Sequence, residues 1–474
     1  MQLSPVADID NVLNSNVSTS DVTAVGTSLG RPSAILDGRF MRFGANSISR
    51  RLHMMKLARL ALAALLLAPA AAAAQQDTIV IRASTILDGK GGVLRDTAIV
   101  VQGSKIVRID PKAVGGVTYD LKALTVMPGW IDTHAHIANH FDRGTGRLHS
   151  NQSPPETKEE QTMFLLENAY NILMSGFTTV QSPGSEIDKY LRAWTAENKV
   201  PGPRILTSLR SVTENTGTPE QIREFVRKAV ADGADFVKIF ATKSIREGGA
   251  QTMTDAQIQA ACGEAKALGK RTLVHAQGPE GAKASVLAGC TAIEHGNRLT
   301  DEVLDLMVKN GTYFDSNNHL LLHNYIDNKS HYLGIGNYNE EGFRYLEKGL
   351  PVGNDTFKRA LKKKVKMVFG TDAMPGALGR EYEELIYRVQ DGGQDPMDAI
   401  TTITSRSAAS MGLGGTIGAI APGMEADIIA TAGNPVADIT AVRRTVFVMK
   451  GGKVYKNVMA ANAKGTGAVS SSKQ

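Results

Sequence analysis

The chain has 474 residues, 42% of them hydrophobic and 21% charged, which excludes a disordered chain and leaves room for one large α/β barrel with a smaller appendage. The net charge is +6, but residues 1–74 hold seven Lys/Arg against four Asp/Glu, so only +3 belongs to the remainder; with no basic cluster or basic-aromatic stripe, nucleic acid is not an expected partner. Two cysteines, Cys262 and Cys290, exclude a disulfide framework and a CxxC metal site, and are expected to be buried structural thiols.

Residues 1–53 are polar, contain Gly and Ser, and show no sustained periodicity, so they are expected to be disordered. Residues 54–74 read as a signal peptide. Lys56 and Arg59 form a basic n-region, Leu60 to Ala68 a short apolar run, and Ala72-x-Ala74 a cleavage site. The run is too short for a stable membrane anchor. The expectation is a periplasmic or secreted protein cleaved near Ala74, whose synthesis starts at Met54 or Met55 and whose mature chain begins near Gln75.

Short β-branched runs follow at 79–81, 86–87 and 98–101, and Gln102-Gly103-Ser104-Lys105 turns the chain into 106–109. Similar runs return at 427–430 and 446–449, with a Gly451-Gly452 turn into Val454. The spacing predicts a small β-sandwich built from both chain ends, residues 75–127 and 412–460, and a flexible tail over 461–474. Between them, strand-like and helix-like segments alternate. Eight strands are predicted at 126–133, 178–182, 204–209, 235–240, 271–276, 291–295, 312–316 and 366–371. A helix over 157–175 is predicted to turn Met163, Leu166, Tyr170 and Leu173 inward, with Gly176 as its stop. Eight strands with crossover helices over 128–411 predict an α/β fold, a (β/α)8 TIM barrel, whose reactive groups sit at strand C-termini.

The polar residues on those strands are unusual. His134 and His136 are two apart at the end of the first strand, so both imidazoles point to one side. Lys238 interrupts the apolar Asp-Phe-Val-Lys-Ile-Phe run. His275, His295 and Asp372 end the fifth, sixth and eighth strands. Each has a bland alternative, such as a hydrogen-bonded strand-end His or an Asp that caps a helix. Six metal-compatible groups at one mouth of a barrel do not suit a metal-free scaffold.

The chain resembles the amidohydrolase superfamily over residues 77–456. The branch is that of imidazolonepropionase-related amidohydrolases and Xaa-Pro-type dipeptidases, which also contains ochratoxin-type amidases. The resemblance is carried by PGWIDTHAH, GFTTV at 176–180, ADFVKIF at 234–240, VHAQG at 274–278, AIEHG at 292–296, FGTDA at 369–373 and APGMEADI at 421–428. It implies two divalent metal ions, zinc by the His-rich set, bridged by a Lys238 carboxylated with carbon dioxide. It also implies that His134, His136 and Asp372 hold one ion, and His275 and His295 the other. Chemistry agrees, because a free ammonium beside two dications carries no lone pair, whereas a carbamate offers two oxygens. Two ions roughly 3.5–4 Å apart activate a shared hydroxide for attack on a carbonyl. Asp372 is the expected general base and then acid toward the leaving nitrogen.

Substrate groups are less well marked. Gln277 stands where some dipeptidases of the branch carry Tyr, and Lys243 lies in a loop that often reads Ala-Thr-Gly-Gly in relatives. Lys243 suits a substrate carboxylate or plain solvent exposure. His140 and His149 follow the first strand. The long stretch 317–363, with Tyr325, Tyr332 and Tyr338, is a candidate lid, since ordinary βα loops run about 2–6 residues. The expected activity is hydrolysis of a small peptide or N-acyl amino acid, dipeptidase-like, with the substrate as principal partner and a homo-oligomer left open. A lactonase, esterase or cyclic-amide hydrolase remains an alternative. A deaminase is disfavoured by Lys238 and by Gly278 three residues after His275.

Overall fold

The computed structural model describes residues 78–113 and 119–458, so the upstream segment, the signal and the tail lie outside the described residues. The first strand, β1 (Thr78–Leu87), is continuous where the sequence suggested two short ones. Its polar middle does not break the ladder, because Arg82 and Ala83 pair with Ala98 and Thr97 of β2 (Val93–Gln102). A turn with Gly103 at φ 57° leads into β3 (Lys105–Ile109), the expected hairpin. Next come β4 (Tyr119–Asp120) and β5 (Thr125–Pro128).

The strand predicted over 126–133 breaks at Gly129, and β6 (Trp130–Asp132) belongs to a different sheet from β5. A Cβ at Gly129 would lie 2.1 Å from Thr178 Oγ1, so only glycine permits this approach. Gly129 N–H donates to Asp427 O and Trp130 N–H to Gly176 O, so the chain changes sheets within one residue.

Parallel strands then alternate with helices. β6 pairs with β7 (Phe177–Ser182), which pairs with β8 (Arg204–Thr207). A second parallel arc runs β9 (Ser211–Val212), β10 (Val237–Phe240), β11 (Thr272–Ala276), β12 (Ala292–His295), β13 (Tyr313–Asp315) and β14 (Lys366–Met367). All eight predicted positions are occupied, most by shorter strands. The third ends at Thr207, and Leu209 at φ 60° turns the chain into the unpredicted β9.

The helices are α1 (Lys158–Ser175), α2 (Asp188–Ala196), α3 (Pro219–Ala231), α4 (Asp255–Ala267), α5 (Pro279–Leu287) and α6 (Asp301–Asn310). The 317–363 stretch is helical as α7 (His319–Asp327), α8 (Lys329–Tyr332) and α9 (Glu340–Lys362), and α10 (Tyr382–Gln390) follows β14. Thr157 and Glu160 form a capping box on α1, and Gly176 ends it at φ 118°. Its inward face differs from the prediction. Leu165, Ala169, Ile172 and Leu173 are buried, whereas Met163 is 65% and Tyr170 47% exposed. Four consecutive apolar residues, 163–166, left two possible faces, and small Ala169 selects the one that packs closely.

β15 (Ile428–Thr431), β16 (Thr445–Lys450) and β17 (Lys453–Asn457) return to the first sheet. Both chain ends contribute to one hydrogen-bonded path of order β17-β16-β15-β5-β1-β2-β3, with β4 on β1. The cysteine expectation is corrected. Cys262 on α4 and Cys290 before β12 form a disulfide, with Cα atoms 5.2 Å apart. Their separation of 28 residues gave no hint of pairing; α4 packing against the next βα unit supplies it. Among the described residues no helix is long and apolar enough to cross a membrane.

Candidate metal centre

The first predicted pair stands at the end of β6. His134 is buried, and its Nδ1 lies 2.8 Å from Glu294 Oε2. Its Nε2 faces inward, 3.2 Å from Lys238 Nζ and 3.3 Å from Asp372 Oδ1. His136 Nε2 is 2.9 Å from the same Asp372 oxygen, and His295 Nδ1 is 3.9 Å from the other. The His275 and His295 rings meet at 4.4 Å, and His275 Nε2 is directed at the Lys243 carbonyl, 3.3 Å away. All six predicted groups line one cavity of about 360 Å³, within the range of about 300–1,000 Å³ usual for small-molecule sites.

The backbone bends to achieve this. His295 has φ 70°, Asn317 φ 30° and Asp372 φ 51°, unusual angles for residues with side chains. Gly370 makes room: a Cβ there would lie 1.8 Å from Asp315 Oδ2 and 3.0 Å from His134 Cβ. Thr371 Oγ1 donates to Asp132 Oδ2 at 2.6 Å, tying the eighth strand's end to the first's.

The electrostatics favour ligands over solvated charges. Burial, then the Lys238 cation, holds the His134 imidazole well below its ordinary range. Burial, then His295, does the same to His275. Burial lowers His295 to about 4. Neutral imidazoles keep the lone pair a metal needs. Burial also lowers the Lys238 amine, against the pull of Glu294 and Asp372. Burial opposes the Asp372 charge, yet His134 and His136 hold its carboxyl well below the usual range. His295 Nδ1 is buried with no hydrogen-bond partner. This donor set fits divalent ions: neutral nitrogens and a carboxylate converge, and His134, His136 and Asp372 form a compact ligand group.

The substrate-side expectations divide. Gln277 and Tyr325 line the cavity, and Gln277 Oε1 accepts from Asn297 Nδ2 at 2.5 Å. Lys243 does not line it; its side chain is exposed, because the strand-four loop turns outward there. His140 does not line it either, and is buried beside His149 and Glu156. Two groups of the site escaped the sequence reading, one behind the histidines and one in the cavity wall. Glu294, paired with His134, was marked only by its unusual position inside a buried strand. Arg246 lines the cavity over Tyr338, 3.9 Å from the ring centre, and its Nε donates to Asn337 Oδ1 at 2.7 Å. A loop arginine is ordinarily solvated, so no local signal marked it.

An amidohydrolase family model matches residues 125–460. The chain belongs to the amidohydrolase family. It is 24% identical to an ochratoxinase of Aspergillus niger over 434 residues, 80% of this chain and 86% of that one. It is also 24% identical to an imidazolonepropionase of Caldanaerobacter subterraneus subsp. tengcongensis over 356 residues, 65% and 77% of the two chains. Among solved structures, a Xaa-Pro dipeptidase with bound methionine in the active site is 30% identical. Its TM-score is 0.72, covering 80% of this chain and all of that one. The family is one of hydrolases that generally use divalent metals, and its relatives here include peptidases and amidases, with a TIM-barrel α/β fold.

Proposed function

We propose that this amidohydrolase is a binuclear hydrolase of amide bonds in small peptides or N-acyl amino acids. The observation that carries it is Lys238: a 1% exposed lysine whose Nζ lies 3.2 Å from His134 Nε2, inside the ring of imidazoles and Asp372. A protonated lysine there would repel a dication; carboxylated by carbon dioxide, it would instead offer two oxygens able to hold metal. In this reading His134, His136 and Asp372 hold one ion, His275 and His295 the other, and the imidazole-rich set favours zinc. When bound, the ions supply a water nucleophilic near neutral pH and polarise the substrate carbonyl.

The chain's own groups do the rest. Glu294 takes the Nδ1 hydrogen of His134 and fixes the ring so that Nε2 faces the centre. Asp372 receives the proton lost by the attacking water and delivers it to the departing nitrogen, which leaves as the amine. Arg246, held by Asn337 and Tyr338, is a fixed cation in the cavity wall and suits a substrate carboxylate. Gln277 faces the same space and orients the bound amide.

Two further readings belong with this one. The parallel arcs close into one ring, supported by bonds from Thr133 N to Phe369 O and His136 N to Ala373 O, and from Asp235 N to Thr207 O; the other sheet is a small sandwich. The protein is exported, since residues 54–74 carry a signal-like pattern and the Cys262–Cys290 disulfide suits an oxidising compartment. N-terminal sequencing of envelope protein should read from near Gln75, and recovery of Met1 on functional enzyme would overturn the export reading. Metal analysis, with dipeptides, N-acyl amino acids and lactones read by amine release or acid production, tests the activity. Amine release with about two metal equivalents at this centre is expected; turnover of lactones alone would move the assignment to ester cleavage.

A further inference from the structure

Between β6 and α1 the chain makes a loop far longer than the usual few residues, and it contains a small hairpin. Phe141 and Leu148 bridge antiparallel, His149 N–H donates to His140 O at 3.1 Å, and Asp142 N–H to Arg147 O at 2.7 Å. Directly paired residues carry neighbouring side chains, so the two imidazoles lie face to face, 4.8 Å apart and inclined by 25°. Phe164 of α1 stacks on the other face of His140, 3.9 Å away and 7° from parallel. Glu156, next to the α1 cap Thr157, points between the rings. Its Oε1 is 3.1 Å from His140 Nε2 and its Oε2 3.6 Å from His149 Nε2.

His140 Nδ1 lies 3.4 Å from the Ala138 carbonyl, an arrangement that suits a hydrogen on the outer nitrogen and a lone pair on Nε2. His149 Nδ1 lies 3.8 Å from Asp142 Oδ2, beyond hydrogen-bond reach, and is buried without a partner. His140 Nε2 and Glu156 Oε2 are buried and make no hydrogen bond, despite their closeness. Two imidazole Nε2 atoms thus converge on one carboxylate, and one ligand atom from each of the three residues lies within 4.8 Å of the others.

We propose that His140, His149 and Glu156 form a divalent-cation site of the zinc type, separate from the centre at Lys238. It is structural. It clips the hairpin to the start of α1, much as metals staple short segments that cannot bury a core. The hairpin in turn holds the candidate lid. Leu148 N–H donates to His331 O, Arg147 reaches Leu333 O, and Leu148 packs in the cluster with Tyr325 and Tyr338. Asn139, the residue before His140, lines the cavity. Occupancy of the clip therefore sets the order of one cavity wall.

The test uses the full chain with His134→Ala and His136→Ala, which weakens the central site and leaves the clip. Zinc content after dialysis, the cobalt visible absorption band and the thermal midpoint are read with and without zinc. The expected result is a retained ion and a zinc-dependent rise in midpoint. Both should be lost on adding His149→Ala, or the near-isosteric Glu156→Gln if the alanine variant does not fold. Loss of one equivalent from the wild-type background by Glu156→Gln alone is expected too. Unchanged zinc content and midpoint response in the Glu156→Gln chain overturns the proposal, and the cluster is then a protonated imidazole–carboxylate pair. The central reading fails separately: if His134→Ala/His136→Ala loses no metal while Glu156→Gln does, the clip stands and the binuclear centre falls.

Discussion

Two clusters of buried charge lie close together and differ in one respect. In the first, Arg388, fully buried, donates Nε to Glu384 Oε1 at 2.9 Å, Nη1 to Val368 O at 2.6 Å and Nη2 to Asp315 Oδ1 and Gly370 O. Asp315 also receives Thr133 Oγ1 and Gly370 N. Each donor has found an acceptor. In the second, around Lys238, three imidazoles face the Asp372 carboxylate, and His295 Nδ1 stays without a hydrogen-bond partner. The first arrangement is complete within the protein; the second leaves a buried nitrogen unmatched. Burial alone does not separate structure from chemistry, but unmatched buried polar atoms point to it.

The largest effect should come from the incomplete cluster. Lys238→Ala is expected to lower kcat/KM by roughly 10³-fold or more, because removing an interaction worth about 4 kcal/mol in the transition state does so. Circular dichroism should still show a folded barrel, and short carboxylic acids should restore part of the rate. Near-normal turnover with full metal content would make Lys238 a packing residue and erase the contrast. Asp372→Asn should retain most metal yet lose about 10²–10⁴-fold in kcat, the usual worth of a positioned proton-transfer group.

The complete cluster should respond in the opposite sense. Arg388→Met leaves Glu384 and Asp315 unpaired and is expected to cost about 3–5 kcal/mol in urea unfolding, with the surviving folded fraction still loading metal. A variant as stable as the parent would show that the network is dispensable. Its pH dependence is smaller. Burial opposes the Glu384 charge, but Arg388 and His319 hold its carboxyl at about 2, below the ordinary 4.5. The folded state thus binds this proton more weakly than the unfolded one. The contribution is present above pH 4.5 and lost as pH falls toward 2, roughly 3 kcal/mol in all. Unfolding midpoints across that window should show the slope in the parent and a flatter curve in Arg388→Met. The smallest effect is expected at Arg246→Lys, which keeps charge but not the planar fork. A rise in KM of about 10–100-fold for carboxylate-bearing substrates, with kcat little changed, would assign the anchor; an unchanged KM would remove it.

Much of the centre was legible because it depends on local pattern. A strand's period of two aims His134 and His136 together, and polar residues ending apolar runs mark the barrel mouth. What stayed hidden depends on distance across elements. Cys262 and Cys290 meet only because α4 and the segment before β12 are neighbours. Glu294 and Arg246 acquire their places from side chains more than 90 residues away in sequence. The α1 face was misread because residues 163–166 are all apolar and only packing against Ala169 decides. The first strand's division shows in the sequence as an ordinary glycine; its reason is Thr178, pressed against the chain.

That division also orders events in time. β5, one residue from the strand that carries His134 and His136, lies between β1 and β15, and β15 is Ile428–Thr431. During vectorial synthesis the ribosome delivers the two histidines some 300 residues before the strand that flanks their anchor. Such distant pairing is a slow step in folding. The nascent chain therefore carries β5 without its β15 neighbour until it is almost complete, although β6 gains β7 beside it soon after the histidines are made.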